Sequence, residues 1–227
     1  MAQVEQGAME KNGKSREELE RVVRAELEQA IRGQCERGAH GKAAELALQG
    51  YGSELQRFVV AVLQNEDAGR EVFGIVSETI WKALPGFRWS SSFRTWAYCL
   101  ARNACYQYRR SPAGREVPSS SPLSPEVSQN PRSRTNPWQR TDVKEGFRRL
   151  RERLDLEDRT LLVLRVDRQL SWPEVAQVMA EGEEPLSKDA LHRKAAALRQ
   201  QFQKVKTRLR ELAVAEGLID PDAPGVS

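Results

Sequence analysis

The chain has 227 residues, 39% of them apolar, and 36 Lys and Arg against 32 Asp and Glu give a formal charge of +4. That length holds one ordinary domain or two small ones, and so small a net charge decides nothing until its distribution is read. Three scattered cysteines (Cys35, Cys99, Cys105) and two histidines offer no CxxC pair and no ordinary zinc set, and no apolar run nears the about 18 residues of a membrane span. Free thiols, no metal, no cofactor, no membrane insertion and a cytoplasmic location are therefore expected.

Residues 1–14 are polar and are expected to lack structure. From Ser15 onward, Leu19, Val22, Val23, Leu27, Ala30 and Ile31 mark one helical face that ends near Gly33. A second helix is expected over 43–63, with Leu46, Tyr51, Leu55, Phe58, Val59 and Val62 inward. A third covers 68–84 through Val72, Phe73, Val76, Ile80 and Trp81, and Pro85-Gly86 stops it. A fourth begins near Ser92, with Phe93, Trp96, Ala97, Leu100, Ala101, Ala104 and Tyr108 at helical spacing. Residues 111–141 hold six of the eleven prolines and seven serines. Such a segment buries too little to offset its ordering entropy, so it reads as a disordered linker.

Past the linker, residues 143–154 are helical in pattern, and Asp155-Leu156-Glu157-Asp158 looks like a new helix start before Leu161, Leu162, Val163, Leu164 and Val166. Ser171-Trp172-Pro173-Glu174 is a capping box with proline in the first turn. Residues 181–185 break the pattern, and Ser187 can cap a last helix reaching about Ala215. The expected fold is all-α, two small helical domains joined by the linker. Its parts are an N-terminal extension with one amphipathic helix (1–40), a first domain (41–110), the linker (111–141) and a second domain (142–227).

Residues 86–110, "GFRWSSSFRTWAYCLARNACYQYRR", hold seven of the fifteen aromatic residues beside five arginines and no acid. At 100° per residue, Arg94, Tyr98, Arg102, Tyr106 and Arg109 fall in one arc opposite Phe93, Trp96, Leu100 and Ala104. Guanidinium groups attract phosphates and flat rings stack on unpaired bases, each worth about 1–3 kcal/mol. The loop Arg88-Trp89-Ser90-Ser91-Ser92 adds one large ring and small polar groups suited to an extruded base. A solvated helix face with rings packed at its flanks accounts for the same composition.

The run "SSFRTWAYCLARNACYQYRR" resembles the promoter-melting stretch of bacterial RNA polymerase sigma factors of the extracytoplasmic-function type. Ser92-Phe93-Arg94-Thr95-Trp96 stands where that family has its Ser-Phe-Arg-Thr-Trp turn, and Ala101-Arg102-Asn103 follows two turns on. "IWKALPGFR" (80–88) resembles the helix end before it, and the likeness spans roughly 45–110. It implies minus-ten DNA contacts by Arg88, Trp89, Ser91, Arg94, Tyr98, Arg102, Asn103, Tyr106 and Arg109. It also implies that the 68–84 helix docks on core RNA polymerase through Glu71, Glu78 and Trp81. Gly74-Ile75 departs from the Gln-Glu pair common in that family, which marks a divergent member. An anti-sigma factor is a further candidate partner, since in that family one commonly occludes the polymerase-binding surfaces.

The second half fits a helix-turn-helix: three helices, the middle one short, the last basic with eight Lys or Arg against two acids over 187–215. Leu170-Ser171-Trp172-Pro173-Glu174-Val175-Ala176 resembles the opening of the sigma-family module that reads the minus-35 element. Ser187, Lys188, His192, Arg193 and Lys194, at the start of the last helix, are its candidate base readers. Leu191, Ala195, Leu198, Phe202, Val205, Leu209 and Leu212 repeat in 4-3 steps. That stripe is either an internal seam or a coiled coil between two chains.

The leading expectation is a sigma factor that brings core polymerase to promoter DNA and helps open it. A stand-alone dimeric helix-turn-helix regulator and a scaffold that sequesters another protein remain alternatives. No Gly-rich phosphate loop, nucleophile elbow or Cys–His pair argues for an enzyme.

Overall fold

The computed structural model describes residues 2–116, 146–180 and 186–219, with side chains from Glu18 onward, and no strand occurs among them. The first helix, α1 (Ala2–Glu36), begins well before Ser15. The expected unstructured start is thus overturned at 2–14: no proline interrupts 2–36, and Ala, Glu, Gln, Lys and Arg dominate it. Gly38, at a left-handed φ of 72°, turns the chain into α2 (His40–Leu63).

Gln64 ends α2 in the left-handed region, and the Asn65 side chain caps α3 (Glu66–Ala83) by accepting from the Ala68 N–H at 2.9 Å. The hairpin is tight because Gly69 lies against Val60. A Cβ at Gly69 would stand 2.4 Å from Val60 Cγ2 and 3.1 Å from its Cα. A 3₁₀ turn (Leu84–Gly86) closes α3, and Ser92 caps α4 (Phe93–Arg110) by accepting from the Thr95 N–H at 3.0 Å. Immediately after it, α5 (Pro112–Glu116) occupies the first residues assigned to the linker, a correction made by proline at a helix start. Residues 117–141 of the expected linker lie outside the described residues.

The second half holds α6 (146–152) and α7 (Leu156–Leu162), which widens into a π turn (Val163–Asp167). Then come α8 (Trp172–Val178) and α9 (Lys188–Ala215). The start signals read from sequence operate: Asp155 accepts from the Asp158 N–H at 2.8 Å, Glu174 from the Ser171 N–H at 2.7 Å, and Ser187 from the Ala190 N–H at 3.3 Å. The break expected at 181–185 lies outside the described residues.

One hydrophobic cluster runs through both halves, from Phe58, Phe93 and Tyr98 to Leu161, Leu164, Val175 and Leu198. α2 and α4 pack against α7 and α8, so the halves are in contact rather than apart. The stripe on α9 is an internal seam along its middle. Ala195, Leu198, Phe202 and Val205 are buried, α9 packs on α7 and α8, and Phe202 meets Trp172 edge-on at 5.6 Å.

Candidate nucleic-acid interface

The arginine-and-ring segment divides into two layers once α4 is folded. Arg94 and Tyr98, read from the helical arc as exposed, are 6% and 0% exposed. The correction has a physical cause in α2. Glu54 accepts from Arg94 Nε at 3.0 Å, from Arg94 Nη2 and from the Tyr98 hydroxyl at 2.7 Å, while Phe58 meets Tyr98 edge-on at 5.0 Å. Burial resists ionisation of Glu54, but the Arg94 hydrogen bonds and charge and the Tyr98 hydroxyl outweigh it and hold the carboxyl below its usual range. Burial and the neighbouring Glu54 charge push the Tyr98 phenol far up. These two residues fasten α4 to α2 and set its rotation.

The outer layer is Arg102, Asn103, Tyr106 and Arg109, all half-buried. The Arg102 guanidinium lies 4.2 Å above the Tyr106 ring and donates to Asn103 Oδ1 at 3.1 Å. Its Nε is buried without a hydrogen-bond partner. Arg109 Nη1 reaches the Gly114 carbonyl at 3.5 Å, which ties it to α5.

Arg88 is exposed and Ser91 half-buried in the loop before α4. Trp89 holds a left-handed φ of 55°, a conformation that costs a non-glycine residue about 1–3 kcal/mol. Its ring is held by Phe87 at 4.9 Å, and Arg32 from α1 lies 5.6 Å over it. Phe87 in turn stacks on Trp96 at 4.6 Å. The loop is therefore a packed aromatic turn presenting one rim to solvent.

Sequence reasoning missed the group that seats this turn. Glu28 of α1 accepts from the Phe93 N–H at 2.7 Å, the Arg94 N–H at 2.9 Å and the Tyr51 hydroxyl at 3.0 Å. A carboxylate at the first turn of α4 satisfies N–H groups with no partner inside the helix. No local signal marks Glu28, because its partners are 23 to 66 residues away. Glu54 was missed for the same reason.

On α3, Glu71, Gly74, Ile75, Glu78 and Trp81 share the outward face. Trp81, whose place in the apolar stripe suggested burial, is 55% exposed, and Ile75 is 45% exposed. The edge of the Trp81 ring rests over Gly41, where an added Cβ would come within 3.3 Å. Glu78 pairs with Lys82, and that hydrogen bond holds its carboxyl low.

At the start of α9, Ser187, Lys188, His192 and Arg193 are exposed and Lys194 is half-buried. Lys194 lines the same cleft, of about 510 Å³, as Arg102, Asn103, Tyr106 and Arg110. Residues read as two separate DNA sites thus meet across one gap. Three cations against the single acid Glu157 make that gap electropositive.

Comparison of the whole chain with curated proteins finds no match. The stretch that carries most of α2, all of α3 and α4, and the start of α5 does match a known family model. Residues 48–115 match the family model for Sigma-70 region 2, which is what this part of the chain is similar to.

Proposed function

We propose that the chain is a sigma factor, of the extracytoplasmic-function type, that binds core RNA polymerase and directs promoter recognition and opening. The Sigma-70 region 2 match over the helices that carry the aromatic and arginine surface is the observation that carries this reading. In it, the α3 face bearing Glu71, Glu78 and Trp81 meets the polymerase. Arg88, Trp89, Ser91, Arg102, Asn103, Tyr106 and Arg109 hold the separated minus-ten strand through phosphate charge and ring stacking. Arg94 and Tyr98 act beneath them as positioning residues. The second half reads minus-35 duplex through Ser187, Lys188, His192, Arg193 and Lys194, with helix N-terminal side chains toward base edges. An anti-sigma factor and a cytoplasmic setting accompany the same reading.

The test is co-purification with bacterial core polymerase followed by run-off transcription on a genomic fragment library. Binding with new start sites is expected, and Arg102→Ala should reduce permanganate reactivity of the opened bases across promoters. A chain that ignores core polymerase, elutes as a dimer and shifts palindromic duplex unaided would overturn the reading in favour of a stand-alone regulator.

A further inference from the structure

Apart from the cleft that holds Arg102 and Lys194, a second one of about 320 Å³ opens where α1, α2 and α4 meet the π turn. Its charged lining is Arg24 of α1, Glu54 and Arg57 of α2, Arg94 of α4, and Asp167 and Arg168 at the end of the π turn. We infer that this cleft is a binding site for a small polyphosphate anion of the pyrophosphate kind, separate from the nucleic-acid interface. Arg24, Arg57 and Arg168 hold the anion, each from a different element.

The acids around these arginines are already committed. Glu54 accepts two hydrogen bonds from Arg94 and one from the Tyr98 hydroxyl. Asp167 accepts two from Arg151, which does not line the cleft, at 2.8 and 3.1 Å. Glu28, one turn along α1 from Arg24, serves the first N–H groups of α4 and the Tyr51 hydroxyl. Glu174, whose charge reaches Arg94, accepts from the Ser171 N–H at 2.7 Å and from its hydroxyl at 2.6 Å. Left over are the guanidinium groups of Arg24, Arg57 and Arg168, which make no hydrogen bond or ion pair among the described residues.

Three like charges gathered at one gap repel one another, which costs stability until an anion fills it. Arg168 adds a sharper cost, because its Nε is buried without a hydrogen-bond partner. Its backbone is fixed: the N–H donates to the Val163 carbonyl at 3.0 Å, and the Arg168 carbonyl accepts from Arg94 Nη2 at 3.1 Å. On the opposite wall α1 crosses α2 closely at Gly50, where an added Cβ would stand 2.2 Å from Leu27 Cδ2. That crossing carries Arg24, three residues before Leu27, to the edge of the cleft. Guanidinium forks match phosphate oxygens bidentately, and three of them suit a chain of phosphoryl groups better than a singly charged ion. Among the described residues none that lines the cleft is aromatic, so nothing there stacks on a base. The volume is also at the small end for ligand sites. The ligand is therefore read by its phosphates alone.

The experiment titrates the full chain with pyrophosphate by calorimetry at low ionic strength, beside ADP and inorganic sulfate. Pyrophosphate should bind at one site and raise the melting temperature, with sulfate about tenfold weaker and ADP no tighter. Arg24 and Arg57 are exposed, so Arg24→Gln and Arg57→Gln should not lower the melting temperature of the free chain. Each should weaken pyrophosphate binding on the order of tenfold, the loss of one charge-assisted fork. Lys204→Gln, exposed on α9 and outside the cleft, should bind as the unaltered chain does. Equal weakening in all three variants would mean diffuse attraction and overturn the site, as would the absence of any binding. ADP about tenfold tighter than pyrophosphate would overturn recognition by the phosphates alone. Single-stranded DNA of about 12 nucleotides that displaces pyrophosphate, and itself binds more weakly to both arginine variants, would assign the cleft to nucleic acid instead.

Discussion

Two faces of one helical unit are treated in opposite ways. On α3, Ile75 and Trp81 stand in solvent beside Glu71 and Glu78. On α4, nine residues further along the chain, Arg94 and Tyr98 are held from beneath by Glu54, and Arg94 and Arg102 donate to carbonyls of the second half. An apolar tryptophan left in water gains nothing for folding, whereas each α4 contact adds to it.

The comparison breaks most sharply at Arg94. Arg94→Ala leaves the half-buried Glu54 carboxylate with the Tyr98 hydroxyl alone, and stability should fall by about 2–4 kcal/mol in urea unfolding. Arg102→Ala should lose less than about 1 kcal/mol, since its bonds are long or local. An equal loss at both positions would erase the distinction between positioning and contacting arginines. Glu28→Ala removes one acceptor from three donors and should cost about 2 kcal/mol, with hydrogen exchange quickening at the first turn of α4.

Acid should weaken the α2–α4 fastening before it reaches the rest of the unit. The folded Glu54 carboxyl lies below its ordinary value of 4.5, so its contribution is fully present above that pH. It is lost as pH falls through the folded value, because the unfolded state takes up the proton first. Glu54→Gln should flatten this part of the stability-against-pH curve; an unchanged slope would place the acid sensitivity elsewhere. The smallest stability effect belongs to Trp81→Ala, under about 1 kcal/mol, because more than half of the residue's surface is already in water. Core polymerase binding should nonetheless drop by about tenfold, as expected for an interface tryptophan. Unchanged affinity would move the docking surface off α3.

Helix existence and most boundaries were legible in the chain, because apolar spacing and caps such as Asn65, Ser92, Asp155 and Ser187 act within a few residues. The concentration of rings and arginines over 86–110 was equally legible, since composition is local by nature. Exposure within that segment was not. Arc geometry places Arg94, Tyr98 and Arg102 on one side of α4 but carries no word of Glu54, 40 residues upstream of Arg94, or of Arg168, 74 residues beyond it.

What the sequence by itself determined was an all-α chain with a cationic, aromatic helix and a basic last helix, properties written in spacing and residue type. Only the tertiary structure decided which of those side chains are fasteners and which remain accessible. It also decided that Glu28 seats α4 and that the two halves close on each other. Hydrogen bonds and burial join residues by distance in space, and no periodicity along the chain encodes which distant group will arrive.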